Sequence, residues 1–113
     1  MRDIALLTGG ETIGQARAVL GLSDQVWSSL YQAVMGESEL PRLARIWRHQ
    51  YGAEADHVVE PAEIQALLDE IAALRKLHGP ALARPEVADF FELFEAICRE
   101  AERSHARLAF IAD

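Results

Sequence analysis

The stretch PAEIQALLDEIAALRKLH, residues 61–78, decides how the rest of the chain must be arranged. Ile64, Leu67, Leu68, Ile71 and Leu74 recur at steps of three and four, and Leu77 closes the stripe. Glu63, Gln65, Asp69, Glu70, Arg75 and Lys76 fall on the other faces, so the spacing predicts one amphipathic helix. Pro61 suits the first turn, where its missing N–H costs nothing, and Gly79-Pro80 predicts a left-handed stop followed by a residue that cannot continue. Glu60 and Glu63 near the start, and Arg75, Lys76 and His78 near the end, complement the backbone dipole. A stripe this apolar has to be covered by other helices. The expected fold class is therefore mainly α, a compact bundle of about five helices.

Three shorter helices are expected upstream. Residues 11–20 place Ile13, Ala16, Val19 and Leu20 at helical spacing, with Gly21 as the end. Ser23 is a good N-cap for the next helix, which carries Val26, Trp27, Leu30, Tyr31 and Val34 inward and stops at Gly36. Ser38 is read as the cap of the third, with Pro41 in its first turn and Leu40, Leu43, Ile46, Trp47 and Tyr51 facing the core until Gly52. Residues 53–60 break the periodicity and read as a loop with Val58 and Val59 tucked inward. Downstream, Pro85 opens a final helix lined by Val87, Phe90, Phe91, Phe94, Ile97, Cys98 and Ala101, which should pack on the central one.

The two ends of the chain are short apolar runs. Residues 3–7, DIALL, read as a strand ended by Thr8-Gly9-Gly10. Residues 107–113, RLAFIAD, fit either a continuation of the last helix or a second strand. Pairing with DIALL would satisfy the backbone groups of both, which favours a two-stranded ribbon joining the chain ends.

Length and composition bound the function classes. The 113 residues are half hydrophobic and about a quarter charged, which suits one globular domain, residues 1–113, without disulfide support. Cys98 is the only cysteine. The apolar run near the N-terminus is too short for a signal peptide or a membrane span, so a cytoplasmic protein is expected. A formal charge of −7 repels phosphate backbones and membrane surfaces and favours a basic partner.

Two segments resemble known functional turns. Thr8-Gly9-Gly10 after an apolar strand, with Gly14 further on, is similar to the opening of short-chain dehydrogenases and implies a nucleotide bound at a helix N-terminus. The spacing departs from GxGxxG, and no alternation of strands and helices follows. Residues 15–30, QARAVLGLSDQVWSSL, resemble part of a helix-turn-helix and imply a transcriptional regulator. Arg17 replaces the small residue the motif prefers, and residues 23–35 contain no Lys or Arg to reach phosphates.

Charge segregation carries more weight. Arg42, Arg45 and Arg48, with His49, form a basic stripe at steps of three. Residues 50–74 hold Glu54, Asp56, Glu60, Glu63, Asp69 and Glu70 and no Lys or Arg, and the last helix begins with Glu86, Asp89, Glu92 and Glu95 at steps of three before Arg99. Internal balance between the two signs is the plain explanation. The functional one is an acidic surface, built from these carboxylates apart from Glu95, nine in all, that docks on a basic protein. His49, Asp56 and His57 lack the spacing of a zinc site, Cys98 reads as a buried small hydrophobe, and no two carboxylates are set across a cleft. No catalytic residue, cofactor or metal is expected. The function expected is a small acidic protein-binding module, an adaptor or an inhibitor of immunity or antitoxin type; the alternative is a helix-turn-helix-like transcriptional regulator using residues 15–30, and third a nucleotide binder at Thr8-Gly9-Gly10, while a homodimer is expected should Trp27 or Trp47 be exposed beside apolar neighbours.

Overall fold

A computed structural model describes residues 2–48 and 56–112. Five α-helices, α1 (Asp24–Met35), α2 (Pro41–Arg48), α3 (Ile64–Leu77), α4 (Gly79–Leu82) and α5 (Pro85–Ser104), stand with four strands, β1 (Arg2–Leu7), β2 (Ala18–Leu22), β3 (His57–Val59) and β4 (Arg107–Ala112). The strands form one antiparallel sheet in the order β2-β1-β4-β3. The chain is mainly helical, and the terminal pairing of DIALL with RLAFIAD is present, with Ile4 opposite Phe110 and Leu6 opposite Leu108. The sheet is larger than the expected ribbon. β1 lies inside the sheet between β2 and β4, with Arg2, Ile4, Ala5 and Leu7 buried and Asp3 and Leu6 half-buried.

One sheet face meets the helices. Ile4, Leu22, Val59, Leu108 and Phe110 join the helical side chains in one core. Phe94 meets Phe110 edge-on at 5.9 Å, while Trp47 lies parallel to Phe91 at 6.3 Å. The stripe of α3 behaves as its periodicity demands: Ile64, Leu67, Ile71 and Leu74 are fully buried. Leu77 is instead 47% exposed.

Local chemistry sets the helix ends. The Ser23 hydroxyl accepts from the Val26 N–H at 3.2 Å and starts α1. At the other end a Cβ on Gly36 would sit 2.8 Å from the Gln32 carbonyl oxygen, so the residue there has to be glycine for reasons of space. α5 ends on His105, whose φ of 52° is left-handed, with the Ala106 N–H closing back on the Ala101 carbonyl at 2.9 Å.

Four expectations are corrected. Residues 11–20 are not a helix: Ile13–Gln15 form one 3-10 turn, and β2 follows. Their apolar spacing suited a helix, but pairing with Arg2, Asp3, Ile4 and Ala5 of β1 outweighed it. Within 53–60, the segment His57–Val59 is a strand against β4 rather than loop. The third helix starts at Pro41, with Leu40 rather than a Ser38 side chain at its head; Tyr51 and Gly52 lie outside the described residues. Gly79 is not left-handed, and α3 instead turns through His78 into the four-residue α4.

Candidate interaction surface

The nine expected acidic contact residues are separated by how the fold uses them. Glu70 is turned inward and 6% exposed. One of its carboxylate oxygens accepts the backbone N–H groups of Arg42 at 2.9 Å and Leu43 at 3.0 Å, and the other faces the Arg42 guanidinium at 3.3 Å. Pro41 and a leucine at the head of α2 supply no capping oxygen, so the first turn of that helix would have orphan N–H groups. Glu70, reaching across from α3, supplies both the missing acceptor and a negative charge where the helix dipole wants one. Glu63 is half-buried and sits 3.4 Å from the Nε of the same Arg42.

The other end of α2 is treated with the opposite sign. Arg2, fully buried at the start of β1, donates from its guanidinium to the Ile46 carbonyl. The Trp27 indole N–H donates to the Trp47 carbonyl at 2.9 Å, and the Trp47 indole returns the bond to the Trp27 carbonyl at 3.0 Å. Two carbonyls of the last described turn of α2 thereby gain side-chain donors. Burial pulls Arg2 below its ordinary pKa, an effect opposed by the nearby Asp56 charge. Asp56 thus acts beside Arg2, and Glu54 lies outside the described residues.

The remaining carboxylates stay at the surface. Glu60, Asp69, Asp89 and Glu92 are exposed, with Asp69 accepting from Gln65 at 3.0 Å; Glu86 is half-buried, 3.5 Å from the Gln25 amide. Glu95, missing from the expected set, is largely buried and pairs with both Arg75 of α3 and Arg99. Its place on the inward side of the Glu86, Asp89, Glu92 series was available from the drift of a three-residue step around a 3.6-residue helix. Of the basic stripe, Arg42 is taken up by Glu63 and Glu70, Arg45 and Arg48 are exposed, and His49 lies outside the described residues. The Trp47 side chain is fully buried and Trp27 is half-buried, so neither offers the open apolar anchor considered for a homodimer.

The two functional turns look different in three dimensions. Gly9 is left-handed at φ 59°, as a tight exit requires, but the turn is closed by its own anion: the Glu11 carboxylate accepts from the Thr8 N–H at 2.8 Å and from the Thr8 hydroxyl at 2.6 Å. These bonds, the hydroxyl first, hold Glu11 below the ordinary carboxylate range, assisted by Arg107. A phosphate would have to displace that carboxylate. The segment 15–30 contains a strand and one helix, so the helix pair of the resemblance is not formed.

Burial pushes the Cys98 thiol up to about 12, aided by Glu95, which keeps it protonated. His57 is pushed below its ordinary value by burial first and by Arg45 next, against the pull of Glu63. Among the described residues there is no pocket, no group of three or more His, Cys, Asp or Glu placed to hold a metal, and no helix long and apolar enough to cross a membrane. Compared with protein-family models, with curated proteins and with solved structures, the chain matches none.

Proposed function

We propose that the chain is a small acidic protein-binding module, an adaptor or an inhibitor of immunity or antitoxin type, that docks on a basic protein. The observation behind this reading is the sorting of its carboxylates. Glu70, Glu63 and Glu95 serve the fold by meeting Arg42, Arg75 and the head of α2, whereas Glu60, Asp69, Asp89 and Glu92 are left exposed. Exposed carboxylates of one sign on a chain of net charge −7 steer a basic surface into contact and repel acidic competitors. Glu86, beside Asp89 on α5, belongs to the same surface.

The test pairs capture with charge reversal. The tagged chain is used to capture proteins from its native lysate at low and at moderate salt, in parallel with an Asp89→Lys/Glu92→Lys variant and a Glu60→Lys/Asp69→Lys variant. A basic protein retained at low salt, released as salt rises and lost by either variant supports the proposal. Retention by both variants counts against it.

A further inference from the structure

We propose that the outward face of α5 seats a basic amphipathic helix of the partner, with apolar side chains of that helix on Leu93 and Ala96 and its Lys or Arg side chains on Asp89 and Glu92. The placement rests on the reading of the chain as an acidic protein-binding module, and adds the surface used and the form of what it holds. α5 is the longest of the five helices, twenty residues or about 30 Å, and it buries one side only. Its charge is uneven along that length. Between Arg84 and Arg99 the sequence carries Glu86, Asp89, Glu92 and Glu95 and no Lys or Arg. Steps of three drift around a helix of about 3.6 residues per turn, so the series crosses the outward face obliquely. It starts on the α1 side, where Glu86 lies 3.5 Å from the Gln25 amide, and ends on the α3 side, where Glu95 pairs with Arg75. Asp89 and Glu92, in the middle, are exposed, and among the described residues no cation pairs with either. The C-terminal half of the helix is balanced by contrast, with Arg99 on Glu95 and Arg103 on Glu100. The helix dipole does not account for Asp89 and Glu92, because it favours carboxylates within the first turn, where only Glu86 stands.

Apolar surface adjoins this uncompensated charge. Leu93 is 54% exposed, more than any other large apolar side chain among the described residues. A single exposed leucine is ordinary. This one lies a turn beyond Asp89, and the exposed Ala96 lies a turn beyond Glu92, so two rows leading from carboxylate to apolar side chain run side by side. Residues four apart form the ridges along which helices pack, and the low Ala96 beside the tall Leu93 gives a second helix a step to fit. An apolar centre with charge at its rim is the anatomy of a binding interface. The charge fixes the sign of the occupant: a cation-bearing helix gains Asp89 and Glu92, which no other cation holds, and an acidic or neutral one gains nothing from them.

The test uses the full chain, labelled for amide NMR, and a synthetic peptide of about 18 residues, five helical turns, with leucine at steps of three and four and lysine elsewhere. A second peptide has the same composition in a scrambled order that gives no apolar stripe. The patterned peptide is expected to shift amides of residues 86–100 and to bind at least about tenfold more tightly than the scrambled one. Leu93→Ser should weaken its binding about tenfold, the loss of one buried leucine contact, and Asp89→Lys/Glu92→Lys should weaken it further. Unchanged amide positions in β1 and β4 show that each variant is folded. Equal binding of the two peptides, shifts that fall at Glu60 and Asp69 instead, or full binding by folded Leu93→Ser overturns the placement and leaves the acidic-module reading standing. Binding of neither peptide also overturns the placement, and the module reading is then decided by the lysate capture alone.

Discussion

α2 and α5 solve the same problem with different means. The eight residues of α2 bury three apolar side chains, Leu43, Ile46 and Trp47, and are fastened at both ends by buried charge: Glu70 at the head and Arg2 at the tail. The twenty residues of α5 bury six, three of them phenylalanines, and are fastened along their length. A helix of eight residues is far below the length that is stable alone, and its dipole ends make up most of it. Long-range caps therefore matter more to α2, and apolar contact matters more to α5. The same contrast accounts for the acidic surface, because carboxylates drawn in to serve helix ends are no longer available to a partner.

The largest expected effect tests the apolar half of the contrast. Phe94→Ala removes a ring packed against Phe90, Phe91 and Phe110 and should cost about 3 to 5 kcal/mol in chemical denaturation. An effect below about 1 kcal/mol would mean that α5 is not held as described. Glu70→Ala comes next. It strands two N–H groups and a guanidinium, and should cost about 2 to 3 kcal/mol. Glu70→Gln, which keeps an acceptor but loses the charge, should recover part of the loss. If both variants cost the same, charge rather than hydrogen bonding sets the α2 cap.

Acid should reach α2 before α5. The folded state holds His57 below its ordinary value of 6.5, so the unfolded chain binds that proton more readily. Stability is fully present above about pH 6.5 and falls as the pH drops toward the folded value. The charge of Arg45 on α2 opposes protonation of His57, so amide exchange in α2 should accelerate over this range while that of α5 holds; His57→Gln should flatten the slope. Glu11 acts in the same sense at lower pH: its folded pKa is depressed, so the Thr8 turn contributes above the ordinary carboxylate pKa and is lost as pH falls through the folded one. At the small end, His105→Gly should raise the thermal midpoint, since glycine removes a left-handed strain of about 1 kcal/mol at the end of α5. Asp89→Lys and Glu92→Lys should change stability by no more than about 0.5 kcal/mol, which makes them clean probes of binding.

How far the chain could be read in advance follows from the range of the forces involved. The α3 stripe, the Ser23 cap of α1, the phenylalanine face of α5 and the match between DIALL and RLAFIAD were legible, since periodicity, capping chemistry and apolar run length are written within a few residues. β2 was not, because Val19 and Leu20 suit a helix locally, and only the presence of β1 alongside makes the extended form better. The acidic set was legible as a set but not in its division. Glu70, three residues after Leu67 and four before Leu74, lies at the edge of the buried stripe where Asp69 does not, but its role was hidden, since its partners Arg42 and Leu43 lie 28 and 27 residues away. Arg2 likewise caps a helix whose acceptor is 44 residues distant. The sequence by itself determined the helices α1, α3 and α5 and the strand at the N-terminal end, and favoured the pairing of the two ends, because those follow from local geometry and burial. Which carboxylates face solvent and which hold the fold together was decided only by tertiary structure, because a charge takes its role from what stands within a few ångströms of it.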